Sequence, residues 1–84
     1  MESDHNQAVF LLDLRGVACP MNFVKTRLRL DKMATGELLE VLLDDGEPIE
    51  SVTSSVTSEG HAVESSTKIE ANYHRLIIRK TAAA

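Results

Sequence analysis

The chain has one cysteine and no tryptophan. A lone cysteine excludes an intrachain disulfide framework, and it excludes a dithiol redox pair within the chain. The aromatic residues are two Phe and one Tyr, so Leu, Ile, Val and Met must fill the core. No apolar run is long enough to span a membrane. His5, His61 and His74 are dispersed, with no pair at a metal-ligand spacing. Asp44, Asp45 and Glu47 do not match a calcium loop, and helix capping accounts for them better. A Gly-rich phosphate loop is also missing. The net charge of −4 and the shortage of stacking aromatics both argue against direct nucleic-acid binding. The first seven residues are acidic and polar, unlike a secretory leader, so a cytoplasmic location is expected.

A chain of 84 residues can bury one modest core. One domain over residues 1–84 is expected, with 1–7 and 81–84 as loose ends. Ala8 to Leu14 reads as a strand, with Phe10, Leu12 and Leu14 on one face. Gly16 breaks it. Pro20 to Met33 reads as a helix opened by Pro. Its core stripe is Phe23, Thr26, Leu30 and Met33; a second stripe, Met21, Val24 and Leu28, lies well round the helix. Gly36 is a natural stop. Glu37 to Leu43 is a strand apolar on both faces, hence central. Pro48 to Glu59 is a second helix, capped by Asp45 or Gly46, with Ile49, Val52 and Val56 inward. His61 to Glu70 and Tyr73 to Lys80 form an antiparallel hairpin around Ala71-Asn72. The expected fold class is α+β. The order β-α-β-α-β-β gives a mixed four-stranded sheet with two helices on one face, a two-layer α/β sandwich.

The cysteine sits where a strand ends and a helix begins, in Leu14-Arg15-Gly16-Val17-Ala18-Cys19-Pro20-Met21-Asn22-Phe23. If Cys19 is the N-cap, Pro20, Met21 and Asn22 take the first three helical positions. The helix N-terminus then favours the thiolate. Arg15 adds a cation if its side chain folds back. The plainer reading is a small hydrophobe packed under the helix. Local chemistry leaves the two level.

The stretch Leu12-Asp13-Leu14-Arg15-Gly16-Val17-Ala18-Cys19-Pro20 resembles the opening of the TusA/SirA-like sulfur carrier family. In that family a short turn leads into a Cys-Pro-X-Pro motif at the start of the first helix. The resemblance continues through Met33-Ala34-Thr35-Gly36-Glu37, Leu43-Asp44-Asp45-Gly46-Glu47-Pro48 and the strand Leu76-Ile77-Ile78-Arg79-Lys80. It implies the same two-layer sandwich. It also implies a sulfurtransferase-type carrier rather than a turnover enzyme, with a persulfide held on Cys19. The sulfur would come from a donor protein of cysteine desulfurase or rhodanese type and pass to an acceptor protein, with no cofactor or metal. A monomer is expected.

Arg15, Gly16, Pro20, Met21 and Asn22 would support the helix N-terminus. Met21, Val24, Leu28 and Lys25 would dock partners. The chain departs from the motif at Asn22, where the family has its second proline. Asn22 restores a main-chain N–H, and the expectation is that this N–H helps hold the sulfur anion. Lys25, Arg27, Arg29 and Lys32 make the first helix basic, either a solvated face or a landing site for an acidic partner. The rival reading is a non-catalytic RNA- or protein-binding module with an idle cysteine.

Overall fold

The computed structural model describes residues 9–18, 20–70 and 72–81. The elements run β1 (Val9–Asp13), α1 (Met21–Asp31), β2 (Leu38–Asp44), α2 (Glu47–Ser58), β3 (Ala62–Glu70) and β4 (Tyr73–Arg79). Ala8, expected in the first strand, and Ala71, expected in the hairpin turn, lie outside the described residues. The four strands form one mixed sheet in the order β1-β2-β4-β3. β1 pairs parallel to β2, while β4 is antiparallel to both β2 and β3. The expected α+β sandwich with a mixed four-stranded sheet is the fold observed.

Period-two alternation explains β2. Leu39, Val41 and Leu43 are fully buried on the helix side. Leu38, Glu40 and Leu42 are half-buried on the other side. Both helices cover the buried row. α1 contributes Leu30 and, just past its end, Met33; α2 contributes Ile49, Val52 and Val56. Leu76 and Ile78 complete the core from β4, with Phe10 and Leu12 against it from β1. β2 is therefore the central strand that its sequence suggests.

The helix ends are set by local chemistry. The expected stop at Gly36 has φ 96°, a conformation that costs Gly little. Before it, α1 runs out at Lys32, and the Lys80 ammonium donates to the Leu30 carbonyl at 2.6 Å. A cation there satisfies a terminal carbonyl and opposes the negative helix end. Gly46 is the N-cap of α2, and Pro48 falls in its first turn. No side chain caps it, so the expectation of an Asp45 cap is not met. Asp45 instead bonds Nε2 of His74 at 2.7 Å.

β3 lies at a sheet edge, and its residues from Glu64 to Glu70 are exposed. Its two register shifts, at Val63/Ser65 and Lys68/Glu70, break the regular ladder. Bulges of this kind, with charged and hydroxyl side chains, discourage pairing with another chain.

Because Leu39 has no exposed surface, Leu39→Ala should cost about 2–5 kcal/mol in a urea unfolding experiment. Leu28→Ala, at a position 56% exposed, should stay within about 0.5 kcal/mol of the parent.

Candidate functional site

The strand-to-helix junction is built around a turn from Leu14 to Val17. The Val17 amide donates to the Leu14 carbonyl at 3.1 Å. Gly16 occupies its third position with φ 82°, where a side chain would be strained. Two contacts tie this turn to the sheet. The Leu14 amide donates to the Leu42 carbonyl at 2.9 Å. The Gly16 amide donates to Oδ2 of Asp44 at 2.8 Å. The loop leading to Cys19 is thus fixed to the carboxyl end of the central strand.

Arg15 does not fold back toward the helix. Its Nε and Nη2 donate to the two Asp13 carboxylate oxygens at 2.9 and 2.8 Å. Its guanidinium lies over the Tyr73 ring, 4.6 Å from the centroid. A bidentate carboxylate two residues away is a better partner than a distant helix end. The charge of Arg15 is therefore matched by Asp13. That pairing holds the Asp13 carboxyl down at about 2, chiefly through the Arg15 side-chain hydrogen bonds.

Cys19 lies outside the described residues, so the site is defined by its chain neighbours. Ala18 and Pro20, on either side, are exposed. The helix begins one residue later than expected, with Pro20 as N-cap and Met21 as the first helical residue. The Asn22 amide donates to the Ala18 carbonyl at 3.1 Å, and the Val24 amide to the Pro20 carbonyl at 3.0 Å. The expectation that the Asn22 main-chain N–H holds the sulfur is thus corrected. The chain is already turning at Ala18, and that carbonyl accepts the hydrogen bond of the Asn22 amide.

Asn22 is the residue that sequence reasoning misplaced. The expected core stripe does not include it, yet it is fully buried. Its Oδ1 accepts the Phe23 amide at 2.7 Å. Its carbonyl accepts the Thr26 hydroxyl at 2.8 Å. Nδ2 of Asn22 is buried and has no hydrogen-bond partner among the described residues. A signal was present in the sequence. Thr26 and Leu30 face the core, and Asn22 is one turn before Thr26 on the same row.

Met21, Val24 and Leu28 are 49%, 37% and 56% exposed. They form an apolar row on the outer surface of α1, beginning two residues after Cys19. Lys25 is exposed too. With Leu28, Arg29, Lys32 and Leu12 it lines a shallow groove of about 230 Å3 between α1 and β1. The Arg29 guanidinium lies over the Phe10 ring, 4.9 Å from its centroid. Arg27 reaches Glu59 at 3.9 Å. Among the described residues no group of His, Asp and Glu could hold a metal ion. No described helix is long and apolar enough to cross a membrane.

This junction, on this sheet, is the framework of a known class. The family model for sulfurtransferase TusA matches residues 11–80, and the chain belongs to that family of sulfur carriers. A proposed sulfur carrier protein of Archaeoglobus fulgidus is 38% identical over 79 residues, covering 94% of this chain and 90% of that protein. Another, from Thermotoga maritima, is 39% identical over 57 residues, 68% of this chain and 72% of that protein. Among solved structures, the SirA-like protein of Desulfitobacterium hafniense superposes with a TM-score of 0.76 at 16% identity. That match covers 87% of this chain and 99% of that one. At such identity the likeness is one of fold, and it agrees with the sheet order and helix placement described above.

The Asp13–Arg15 pair gives a pH signature. A depressed native carboxyl contributes stability above its unfolded value and loses that contribution as pH falls through the native value. For Asp13 the window lies between 3.8 and about 2. Urea midpoints measured across it should fall for the parent and fall less steeply for Asp13→Asn. Equal slopes would remove Asp13 as a source of the acid sensitivity.

Proposed function

We propose that the protein carries sulfane sulfur as a persulfide on Cys19 and passes it from a donor protein to an acceptor protein. The observation that supports this most is family membership across residues 11–80, with the chain's sole thiol inside that span. The junction geometry is consistent with it. The loop is braced on both sides of Gly16, and the exposed Ala18 and Pro20 flank the cysteine.

The chemistry is two thiol exchanges without net oxidation. The Cys19 thiolate attacks the outer sulfur of a donor persulfide. A new S–S bond forms at Cys19, the donor S–S bond breaks, and the donor leaves as a thiolate with the electron pair. An acceptor thiolate then attacks the outer sulfur of the Cys19 persulfide. Cys19 is returned as a thiolate, and the acceptor holds the persulfide. The positive end of α1 favours the anionic sulfur at both stages. A donor of the cysteine desulfurase or rhodanese type supplies the first persulfide. The exposed row Met21, Val24 and Leu28, with Lys25 beside it, receives the partner. Pro20 and Gly16 shape the approach to the thiol, and Arg15 braces the turn through Asp13 and Tyr73. The carrier works in the cytoplasm, as a monomer.

Incubation with a cysteine desulfurase and cysteine should add the mass of one sulfur atom to the intact protein, and Cys19→Ser should abolish the gain. No adduct from desulfurase or rhodanese donors would contradict the carrier reading and favour a non-catalytic binding module. Because Met21 and Val24 are exposed, Met21→Glu combined with Val24→Glu should leave the urea midpoint nearly unchanged. The same double variant should slow protein-to-protein sulfur transfer at least about tenfold, the effect of losing 1.4 kcal/mol of docking energy. Transfer at the parent rate would remove this row from the docking surface.

A further inference from the structure

The two edges of the sheet are built differently. β3 is broken by two register shifts and exposes polar and charged side chains from Glu64 to Glu70. β1, at the other edge, pairs with β2 in unbroken register from Val9 to Asp13. Two of its outward side chains are apolar, with Val9 53% and Leu11 61% exposed. A regular edge with exposed apolar side chains is a template for a further strand. The main chain is aligned for one. The Leu14 amide donates to the Leu42 carbonyl, so by alternation Phe10 and Leu12 also aim their N–H and C=O groups at β2. Leu11 aims its own outward, where no described strand lies.

The groove beside that edge is basic. Leu12, Lys25, Leu28, Arg29 and Lys32 line it, three cations with no carboxylate. Lys25 and Lys32 form no ion pair with a described residue, and Arg29 lies over the Phe10 ring. The whole chain carries a net charge of −4. Unmatched positive charge gathered in one groove of an acidic protein selects an acidic occupant. At about 230 Å3 the groove is small for a cofactor and suits a few side chains. Single-stranded nucleic acid fits less well. The Phe10 ring is already covered by Arg29, and the exposed Val9 and Leu11 offer nothing to a phosphate.

We propose that the free edge of β1 receives an extended acidic segment of a partner protein as an added strand, with its carboxylates in the groove between α1 and β1. Side chains of an added strand alternate between the faces of the sheet. Those on the helix side meet Lys25, Arg29 and Lys32. Those on the other side lie beside Val9 and Leu11. The matching segment therefore alternates acidic and aliphatic residues. Main-chain bonds to the edge supply affinity, and the groove supplies selectivity. The proposal rests on the carrier reading only in that α1 meets partner proteins.

A synthetic peptide of about six residues, alternating Glu and Val, is the probe. Titrated into the isotope-labelled protein, it should shift the amide resonances of Leu11, Lys25, Arg29 and Lys32. Its affinity should fall with added salt. The same peptide with Lys in place of Glu should bind at least about tenfold more weakly. Lys25→Glu combined with Lys32→Glu, both at exposed positions, should keep the urea midpoint and weaken the Glu peptide about tenfold, since two surface attractions become repulsions. Leu11→Pro removes the outward N–H at an edge where Pro is tolerated, and should weaken binding by a similar factor. If Leu11→Pro does not fold, the lysine double variant and the Lys peptide decide. Equal binding of the two peptides, parent affinity in a folded variant, or shifts confined to other surfaces overturns the proposal. Tighter binding of a single-stranded RNA oligonucleotide at the same resonances overturns it too, as does self-association through β1 without peptide. The probe contains no sulfur, so its failure leaves the mass-gain test of the carrier reading to stand or fall by itself.

Discussion

The structure depends on β2 being buried along its helix side. Leu39, Val41 and Leu43 have no exposed surface; β1 and β4 pair with their strand, and both helices cover them. Burial of three large apolar side chains contributes about 1.5–3 kcal/mol each relative to exposure. That is substantial beside the few kcal/mol of net stability typical of so small a chain. Register follows from the same row. Slipping β2 by one residue would turn these side chains outward and bring Glu40 into the core. The pairing with β1 and β4 is thus strongly specified.

Because β2 cannot move, its carboxyl end is a fixed point. Asp44 closes the strand and holds the Gly16 amide. Leu42 holds the Leu14 amide. The turn before the cysteine hangs from those two bonds and from Gly16's positive φ. Arg15 adds a third tether, clamped between Asp13 and the Tyr73 ring at the start of β4. Each surface contact is weak alone. Together they join three strands at the place where the loop must present a thiol.

Much of this was legible in the sequence, because the strands and helices obey simple periods. Phe10 and Leu12, the β2 row, Ile49-Val52-Val56 and the hairpin were all predicted by alternation or helical spacing, and each occupies the place expected. The outer row Met21, Val24 and Leu28 was visible as a second stripe, though periodicity alone could not say which stripe faced water. The failures lie at ends and among polar groups. The helix starts a residue late, with the Phe23 amide taken by the Asn22 side chain rather than by the helix ladder, a bond that no propensity encodes. Arg15 turns to Asp13 because a neighbouring carboxylate is nearer than the helix end. Asn22 is absent from the expected core stripe, although its spacing to Thr26 and Leu30 places it on the core row.

That last misreading bears on how the site is organised. The buried row of α1 runs Asn22, Thr26, Leu30, so its half nearest the cysteine is polar while its far half is apolar. A helix built only for stability would put an aliphatic side chain at the first of these positions. Thr26 can be justified locally, since its hydroxyl is satisfied by the Asn22 carbonyl one turn back. Asn22 cannot be justified that way, because its Nδ2 has no partner among the described residues. Local rules that fail in one place, on a chain that otherwise obeys them, tend to mark function rather than error. The departure at Asn22 falls three residues after the one cysteine of the sequence.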